Sequence, residues 1–337
     1  MEIDVYDRDD QALNGFARRR QLKVVLSNSQ GRCEFTVLLY LPAQSAAPSP
    51  LFLGLNFMGN HTVDSDPSIA LPTSWSPQAD DGGTWAEEKK RGSWVSRWPI
   101  KKILQRGYGV ATIYNADFAP DHPEHFKEGL LQLDRSSSDE AQGRTIAAWA
   151  CGLSRTLDVL GTLPEIDPKR IAATGHSRMG KAALWAGACD SRFSLVISND
   201  SGSGGAALFR RRIGERIIHL TGNFPHWFTE SFRRYEEKEN ELPIDQHQLL
   251  ALIAPRAVYV ASAADDLWAD PVGEYQALAA AAPAWGEEFP LTFPGNDTPL
   301  RRGQLGYHVR SGPHDIREYD WQQFMNFADR VWKSPVA

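Results

Sequence analysis

The sequence contains few cysteines, no excess of basic residues and no long apolar run. Its three cysteines, Cys33, Cys151 and Cys189, form no C-x-x-C pair, so neither a disulfide framework nor a zinc knuckle is indicated. The chain carries 36 Lys and Arg against 42 Asp and Glu and has no basic stripe, so nucleic acid is not expected as a partner. No apolar run approaches the roughly 20 residues of a membrane-spanning helix, so no membrane partner is expected either.

Three further absences narrow the class of protein. The nine histidines are not in metal-ligand spacing, so no metal and no other cofactor is expected. Residues 1–4 do not begin a signal peptide. There is no internal repeat or low-complexity linker, and one-sheet α/β folds often reach 337 residues, so we expect a single catalytic domain over 1–337.

What is present is an alternation of strand and helix patterns. Apolar runs around the turn at 29–31 predict an N-terminal hairpin over about 20–42, followed by a core over about 50–333. Strands are predicted at 22–27, 33–41, 51–57, 109–115, 170–174, 195–198, 256–262 and 305–309, and helices at 93–106, 140–160, 181–189, 274–282 and 319–332. This order predicts an α/β fold with a mostly parallel central sheet flanked by helices, a three-layer sandwich.

The hexapeptide GHSRMG at 175–180 joins a predicted strand to a predicted helix. A serine in this strand-turn-helix setting becomes an exposed nucleophile, and Gly175 and Gly180 give the turn the space it needs. The spacing is G-x-S-x-x-G rather than the commoner G-x-S-x-G, because Met179 stands where the second glycine is usual. Ser177 is the predicted nucleophile, and an ordinary N-cap serine is the alternative.

A serine hydroxyl needs a histidine to take its proton and an acid to orient that histidine. His314 fits best, because it lies in a Gly/Pro loop after the last predicted strand and before the C-terminal helix. His176 is adjacent to Ser177 and is expected to point the wrong way on the turn, while His226 and His247 lie between strands. His314 is therefore the predicted base.

Two aspartates compete for the role of the acid. Asp200 ends the strand that follows the nucleophile helix, and Asp266 ends the next core strand, which is the usual place for a hydrolase acid. The structural alternatives are a turn-former for Asp200 and an N-cap for Asp266. The sequence leaves both open and favours Asp266 slightly.

Arg178 is a permanent cation beside the predicted nucleophile, which is costly unless it meets negative charge. It is predicted to stabilise the oxyanion together with backbone N–H groups of its own residue and of the loop near Gly59. An anionic substrate or a salt bridge to a nearby acid would also account for it. His61, in the same loop as Gly59, either lines the site or is only a polar loop residue.

Several further segments carry recognisable motifs. They are LGLNF at 53–57, GNHT at 59–62, GHSRMGK at 175–181, NDSGSGG at 199–205, FPHWF at 224–228, LPIDQH at 242–247 with APR at 254–256, and DDLWADP at 265–271. Together, over roughly residues 35–332, they resemble the glucuronoyl esterases of carbohydrate esterase family 15, and bacterial members most closely.

The resemblance implies an α/β-hydrolase that cleaves the ester between 4-O-methyl-glucuronic acid side chains of xylan and lignin alcohols. By matching position it implies Ser177 as the nucleophile, His314 as the base and Arg178 as the oxyanion-stabilising residue. The family places its acid at either of two positions, and this chain has an acid at both, Asp200 and Asp266. Many members have Glu where Asp200 stands, so its arm is shorter here.

The same resemblance implies that Lys181, Glu215 and Trp268 contact the hydroxyls and ring of the uronate. Fungal members have a disulfide between cysteines at the positions of His176 and Asp315. Both cysteines are absent here, which favours a bacterial form.

The expected function is that of a serine esterase acting through an acyl-enzyme on glucuronoxylan–lignin esters. A related carbohydrate esterase, such as an acetyl xylan esterase, and a non-catalytic polysaccharide-binding protein are the alternatives. The protein is expected to be a monomer that is secreted or periplasmic.

Overall fold

The computed structural model describes residues 1–45, 47–134 and 144–333. Contacts between Cα atoms divide the chain into two compact units, Met1–Pro168 and Lys169–Ala337. This division does not test whether the two units form the single catalytic domain expected from the sequence, which stays a prediction.

The first unit is built on a predominantly antiparallel set of five strands. In chain order they are β1 (Glu2–Gln11), β2 (Ala17–Ser27), β3 (Arg32–Pro42), β4 (Ser49–Asn56) and β5 (Gly109–Tyr114). Their spatial order is β1-β2-β3-β5-β4, and only β4 and β5 pair in parallel. The predicted hairpin is confirmed, with Val24 opposite Phe35 in the β2–β3 register.

Strand β1 was not predicted, because its sequence is dominated by charge. It carries five acidic residues, and most of its side chains are exposed or half-buried. Asp7 on β1 lies 3.0 Å from the buried guanidinium of Arg19 on β2, which ties the strand to the sheet. Charged, exposed edge strands are a common protection against edge-to-edge association.

The helices of the first unit are shorter than the sequence indicates. They are α1 (Ala12–Gly15), α2 (Ile100–Gln105), α3 (Asn115–Phe118) and α4 (Thr145–Leu160), with 3₁₀ turns at Asn60–Thr62, Glu88–Lys90, Val95–Arg97 and Gly129–Leu133. The helix predicted over 93–106 is wrong in its first half, because Pro99 has no N–H and disfavours helical backbone at the residue before it. Of the helix predicted over 140–160, residues 140–143 lie outside the described residues.

The second unit is built on a mostly parallel set of strands. They are β6 (Ile166–His176, from Lys169 onward in this unit), β7 (Leu195–Asn199), β8 (Ala257–Ala263), β9 (Leu300–Arg302) and β10 (Leu305–Arg310). Their order is β6-β7-β8-β10-β9, and only the edge strand β9 is antiparallel to its neighbour. Apolar side chains fill β7 and β8, as expected of strands covered on both faces.

Between residues 169 and 333 the structure has five helices. They are α5 (Arg178–Cys189), α6 (Ile217–Asn223), α7 (Gln246–Ala251), α8 (Pro271–Ala281) and α9 (Glu318–Lys333), with 3₁₀ turns at Phe209–Arg211, Glu230–Tyr235, Glu239–Glu241 and Ala282–Trp285. Within the described part of the chain, no helix combines the length and the apolar character needed to cross a bilayer.

The parallel strands of the second unit bring the predicted catalytic segments to one edge. Ser177 follows β6, Asp200 follows β7, Asp266 follows β8 and His314 follows β10. Because neighbouring parallel strands end at the same edge of a sheet, these four side chains collect at the carboxyl ends, where α/β proteins bind their ligands.

Candidate active site

Ser177 occupies a strained turn between β6 and α5. Its backbone angles are φ 56° and ψ −131°, outside the regions that a side chain normally allows. Its N–H donates to the carbonyl of Asn199 on the adjacent strand at 2.8 Å. The turn therefore presents the serine at the sheet edge, as a nucleophile requires.

The two glycines of the G-x-S-x-x-G spacing have separate packing roles. A Cβ at Gly175 would overlap the carbonyl oxygen of Met179, so the first turn of α5 can lie directly on the end of β6. A Cβ at Gly180 would lie 2.9 Å from the Cβ of Ser201, which is too close. The second glycine is needed at 180 because α5 there packs against the loop after β7.

His314 and Asp266 form the hydrogen bond that a catalytic base requires. The Nδ1 of His314 lies 2.6 Å from Oδ2 of Asp266, whose side chain is buried. The ionised carboxylate accepts the Nδ1–H, which leaves Nε2 as the nitrogen that exchanges a proton. With 43% of its side chain exposed, His314 can meet a substrate from solvent.

Asp200 lies near the same histidine but has other partners. Atoms of Asp200, Asp266 and His314 all lie within 4.8 Å of one another. Asp200 Oδ2 accepts the N–H of Asp315 at 3.4 Å and faces Arg310 at 3.6 Å. Burial, reinforced by neighbouring negative charge, raises the pKa of Asp200 well above its ordinary value.

Lys181, one turn beyond Arg178 on α5, is buried and pairs with the half-buried Glu215. The Nζ of Lys181 lies 3.1 Å from Oε2 of Glu215 and also donates to the carbonyls of Ser201 and Ser203. Burial lowers the pKa of Lys181, and the charge of Glu215 opposes that shift. These three contacts use all three N–H donors of Lys181, so Glu215, whose side chain is 11% exposed, is the member of the pair that can accept hydrogen bonds from substrate hydroxyl groups.

Trp268 stands beside this pair. The N–H of Glu215 donates to the Trp268 carbonyl at 2.8 Å, and the ring of His219 lies 4.9 Å from the indole. The indole is 52% exposed, although an aromatic ring gains by burial. An exposed, laterally supported indole is suited to stack on the apolar face of a sugar ring.

His61 does not have the exposure that its predicted role needs. Its side chain is completely buried in the first unit, and its Nε2–H donates to the carbonyl of Trp85 at 2.9 Å. A Cβ at Gly59 would lie 2.8 Å from the imidazole. The predicted contact of the His61 ring with substrate is therefore not supported, and the ring instead underlies the Gly59 turn.

His176 lies closer to the site than expected. Its Nδ1 is 2.7 Å from Oδ1 of Asn199, and its ring centre is 4.6 Å from that of His314. The expectation that it points away is wrong, since the last residue of β6 turns its ring toward the loop after β10. His176 thus supports the face of the predicted base.

Two histidines of the first unit lie closer together than the expectation of no metal-ligand spacing allows. In the first unit, atoms of His122, Glu124 and His125 lie within 4.8 Å of one another, close enough to hold an ion. His122 Nδ1 already accepts the N–H of Glu124, and His125 bonds Glu128 at 2.8 Å. These local hydrogen bonds account for the cluster.

Comparisons with known proteins agree on one family. The family model for fungal glucuronyl esterases matches residues 101–287. Carbohydrate esterase MZ0003, from an unknown prokaryotic organism, is 43% identical over an alignment 343 residues long that covers 96% of this chain and 77% of that protein. The solved glucuronoyl esterase of Solibacter usitatus has a TM-score of 0.91 at 41% identity, covering 98% of this chain and 86% of that one.

The chain is a glucuronoyl esterase of carbohydrate esterase family 15. The predicted α/β-hydrolase fold is thereby confirmed, and the protein is a carboxylic ester hydrolase. The 4-O-methyl-glucuronoyl methylesterase of Cerrena unicolor is 29% identical over 72% of this chain. This esterase spans about half, 51%, of that longer fungal protein.

Glu274 is a buried acid of the esterase that the sequence did not reveal as part of the site. On α8 it is fully buried, and it accepts hydrogen bonds from Ser262 Oγ at 2.6 Å, Gly202 N at 2.9 Å and Ser201 Oγ at 3.2 Å. It thus ties the loop after β7 to β8. The one available signal was an acidic residue in the first turn of an otherwise uncharged helix.

The Glu274 carboxyl predicts a pH dependence of stability. Burial raises its pKa to about 7, so between the ordinary value and pH 7 the folded protein binds this proton more tightly than the unfolded chain. The unfolding free energy should therefore fall as pH rises through that interval, by about 3 kcal/mol from this group. In Glu274→Gln, urea unfolding at pH 5 and pH 7.5 should lack that fall.

The exposed Glu288 provides the matched control, because Glu288→Gln should follow the wild type at both pH values. Equal differences in unfolding free energy between wild type and Glu274→Gln at pH 5 and pH 7.5 would contradict the prediction.

Proposed function

We propose that this esterase hydrolyses 4-O-methyl-D-glucuronoyl esters that link xylan side chains to lignin alcohols, by way of an acyl-enzyme on Ser177. The observation that carries the catalytic part is the 2.6 Å hydrogen bond between His314 and Asp266 at the sheet edge that also bears Ser177. Family membership supports the glucuronate part.

In the acylation step, His314 Nε2 removes the proton of Ser177 Oγ as that oxygen attacks the ester carbonyl carbon. Asp266 stabilises the imidazolium that forms. The tetrahedral intermediate then expels the alcohol oxygen, which takes the proton from His314. The uronoyl group remains as an ester on Ser177.

In deacylation, His314 removes a proton from water, and the hydroxide oxygen attacks the acyl carbon. The bond to Ser177 Oγ breaks, and the serine recovers its proton from His314. The products are the uronic acid and the free enzyme, so each turnover consumes one water and needs no cofactor.

Arg178 and its backbone N–H are proposed to stabilise the oxyanion in both steps. The residue is the first of α5, directly after Ser177, and it is half-buried. A fixed cation at low dielectric stabilises developing negative charge more strongly than water does. Arg178 is therefore expected to act on the transition state rather than on ground-state binding.

Recognition of the uronate is proposed for Lys181, Glu215 and Trp268. The Glu215 carboxylate, oriented by the Lys181 amine 3.1 Å away, would accept hydrogen bonds from ring hydroxyls, and the exposed indole would stack on the sugar ring. Because such a polymer does not cross a cell envelope intact, we propose a secreted or periplasmic location. A monomer would suffice, since all of these residues belong to the second unit.

The first test compares esters that differ only in the acid. Benzyl glucuronate should be cleaved with a kcat/KM at least about 100-fold above that of benzyl cyclohexanecarboxylate, because the ring without hydroxyls leaves the Lys181–Glu215 pair unmatched. Acetylated xylo-oligosaccharides should also be poorer substrates. Faster cleavage of acetyl groups would favour an acetyl xylan esterase, and xylan binding without hydrolysis would favour a binding protein.

A further inference from the structure

Two cations share one face at the start of α5, where helix electrostatics disfavour them. Arg178 and Lys181 are three residues apart, and the N-terminus of a helix carries partial positive charge. Lys181 is almost completely buried, and the charge of Arg178 contributes to the lowering of its pKa. The folded protein must contain compensating groups for this arrangement.

Glu215 compensates Lys181, and an aromatic pair faces Arg178. Phe224, directly after α6, and Trp227 stack with ring centres 3.8 Å apart and planes within 4° of parallel. The guanidinium carbon of Arg178 lies 5.1 Å from the centre of the Phe224 ring and 4.8 Å from that of Trp227. Lys181 Nζ also lies over Trp227, at 5.6 Å.

This geometry is that of a cation–π contact shared between two cations and one buried indole. Trp227 is only 3% exposed, so its ring lies in a desolvated setting where such contacts are strongest. An aromatic ring attracts a guanidinium through its π electrons and carries no formal charge. The two rings therefore restrict the position of Arg178 and add no negative charge of their own.

We propose that Phe224 and Trp227 are positioning residues, which hold the Arg178 guanidinium in the orientation that meets the oxyanion on Ser177. The inference rests on the oxyanion role given to Arg178 above. A carboxylate in place of the aromatic pair would hold the side chain equally well but would cancel the positive charge that the transition state needs.

The test separates kcat from KM for benzyl glucuronate. Trp227→Leu should lower kcat about tenfold with KM changed less than about twofold, because orientation of Arg178 matters in the transition state. Trp227→Phe retains an aromatic face and should recover most of that loss. Phe224→Leu, at a half-buried position, should lower kcat about threefold.

A double-mutant cycle distinguishes positioning from general packing. In an Arg178→Gln background, Trp227→Leu should cost less than about twofold in kcat, since there is no guanidinium left to orient. Trp285→Leu is the matched control, because Trp285 lies on the 3₁₀ turn after α8 and bonds the Arg256 carbonyl at the start of β8. It should lower the melting temperature and leave kcat near the wild-type value.

Each failure has its own signature. Unchanged kcat in folded Trp227→Leu, or in Phe224→Leu if the first variant does not fold, would overturn the positioning role. An equal loss for Trp227→Leu with and without Arg178 would also overturn it. Full activity of Arg178→Gln would instead remove the oxyanion role on which the inference rests, and full activity of Ser177→Ala would remove the proposed function itself.

Discussion

Replacing Ser177 by Ala should lower kcat/KM for benzyl glucuronate by about 10⁴-fold or more, the loss typical of removing a catalytic serine. The substitution removes the hydroxyl that attacks the ester carbonyl, at the strained turn between β6 and α5. Stopped assays with purified variant and wild type at matched concentration measure the loss.

The loss should come from chemistry and leave the fold intact. Ala meets the same positive φ as Ser at this position, so the melting temperature should stay within a few degrees of the wild type. His314→Ala should cost nearly as much, and the double variant should be little worse than either alone, because the two residues act as one unit. Activity of Ser177→Ala within tenfold of wild type would exclude the acyl-enzyme.

The core strands were predictable because they are short apolar runs bounded by turn residues. Strands β4, β5, β7 and β8 lie within a residue or two of their predicted ranges. The edge strand β1 has no such apolar run. Its sequence is rich in charged residues and its side chains are largely exposed, so hydrophobic patterning does not predict it. Short helices such as α6 and α7 were not predicted either, because helices of this length are stabilised by tertiary contacts that a sequence pattern does not show.

Chain order was enough to nominate Ser177 and His314, because loops after parallel strands meet at one edge. It was not enough to choose between Asp200 and Asp266, which depends on loop conformation within a few ångströms. The contact of Phe224 and Trp227 with Arg178 could not be predicted either, because it also depends on loop conformation. An aromatic stretch in a sequence does not reveal the cation on which it stacks.

His61 is a residue that the sequence suggested for substrate contact and that the structure buries. A polar residue in a loop next to the sheet edge suggests a solvent-facing role, and the sequence offered no reason to bury it. In the structure its imidazole fills the space under Gly59, where the backbone adopts φ 105°. A polar side chain that satisfies a loop carbonyl is a packing element, which composition alone cannot distinguish from a ligand.

Replacing Asp200 and Asp266 separately by Asn should lower kcat to very different extents. Asp266→Asn should lower kcat by about 10³- to 10⁴-fold, because the amide can hold His314 only in the wrong tautomer and cannot stabilise the imidazolium. Asp200→Asn should lower kcat less than about fivefold. Burial raises the pKa of Asp200, and an amide keeps the shape of this buried carboxyl and an acceptor oxygen for the Asp315 N–H.

The Asp266 substitution is expected to have the larger effect on kcat because the Asp266 carboxylate bonds the His314 imidazole. Asp266 lies 2.6 Å from His314 Nδ1, whereas Asp200 is engaged by the Asp315 N–H and by Arg310. Because both substitutions are isosteric and both sites are buried, a difference in kcat reports on charge at the histidine rather than on packing. A deeper defect in Asp200→Asn than in Asp266→Asn would reverse the assignment, and the Asp266 hydrogen bond would then serve only to hold the loop.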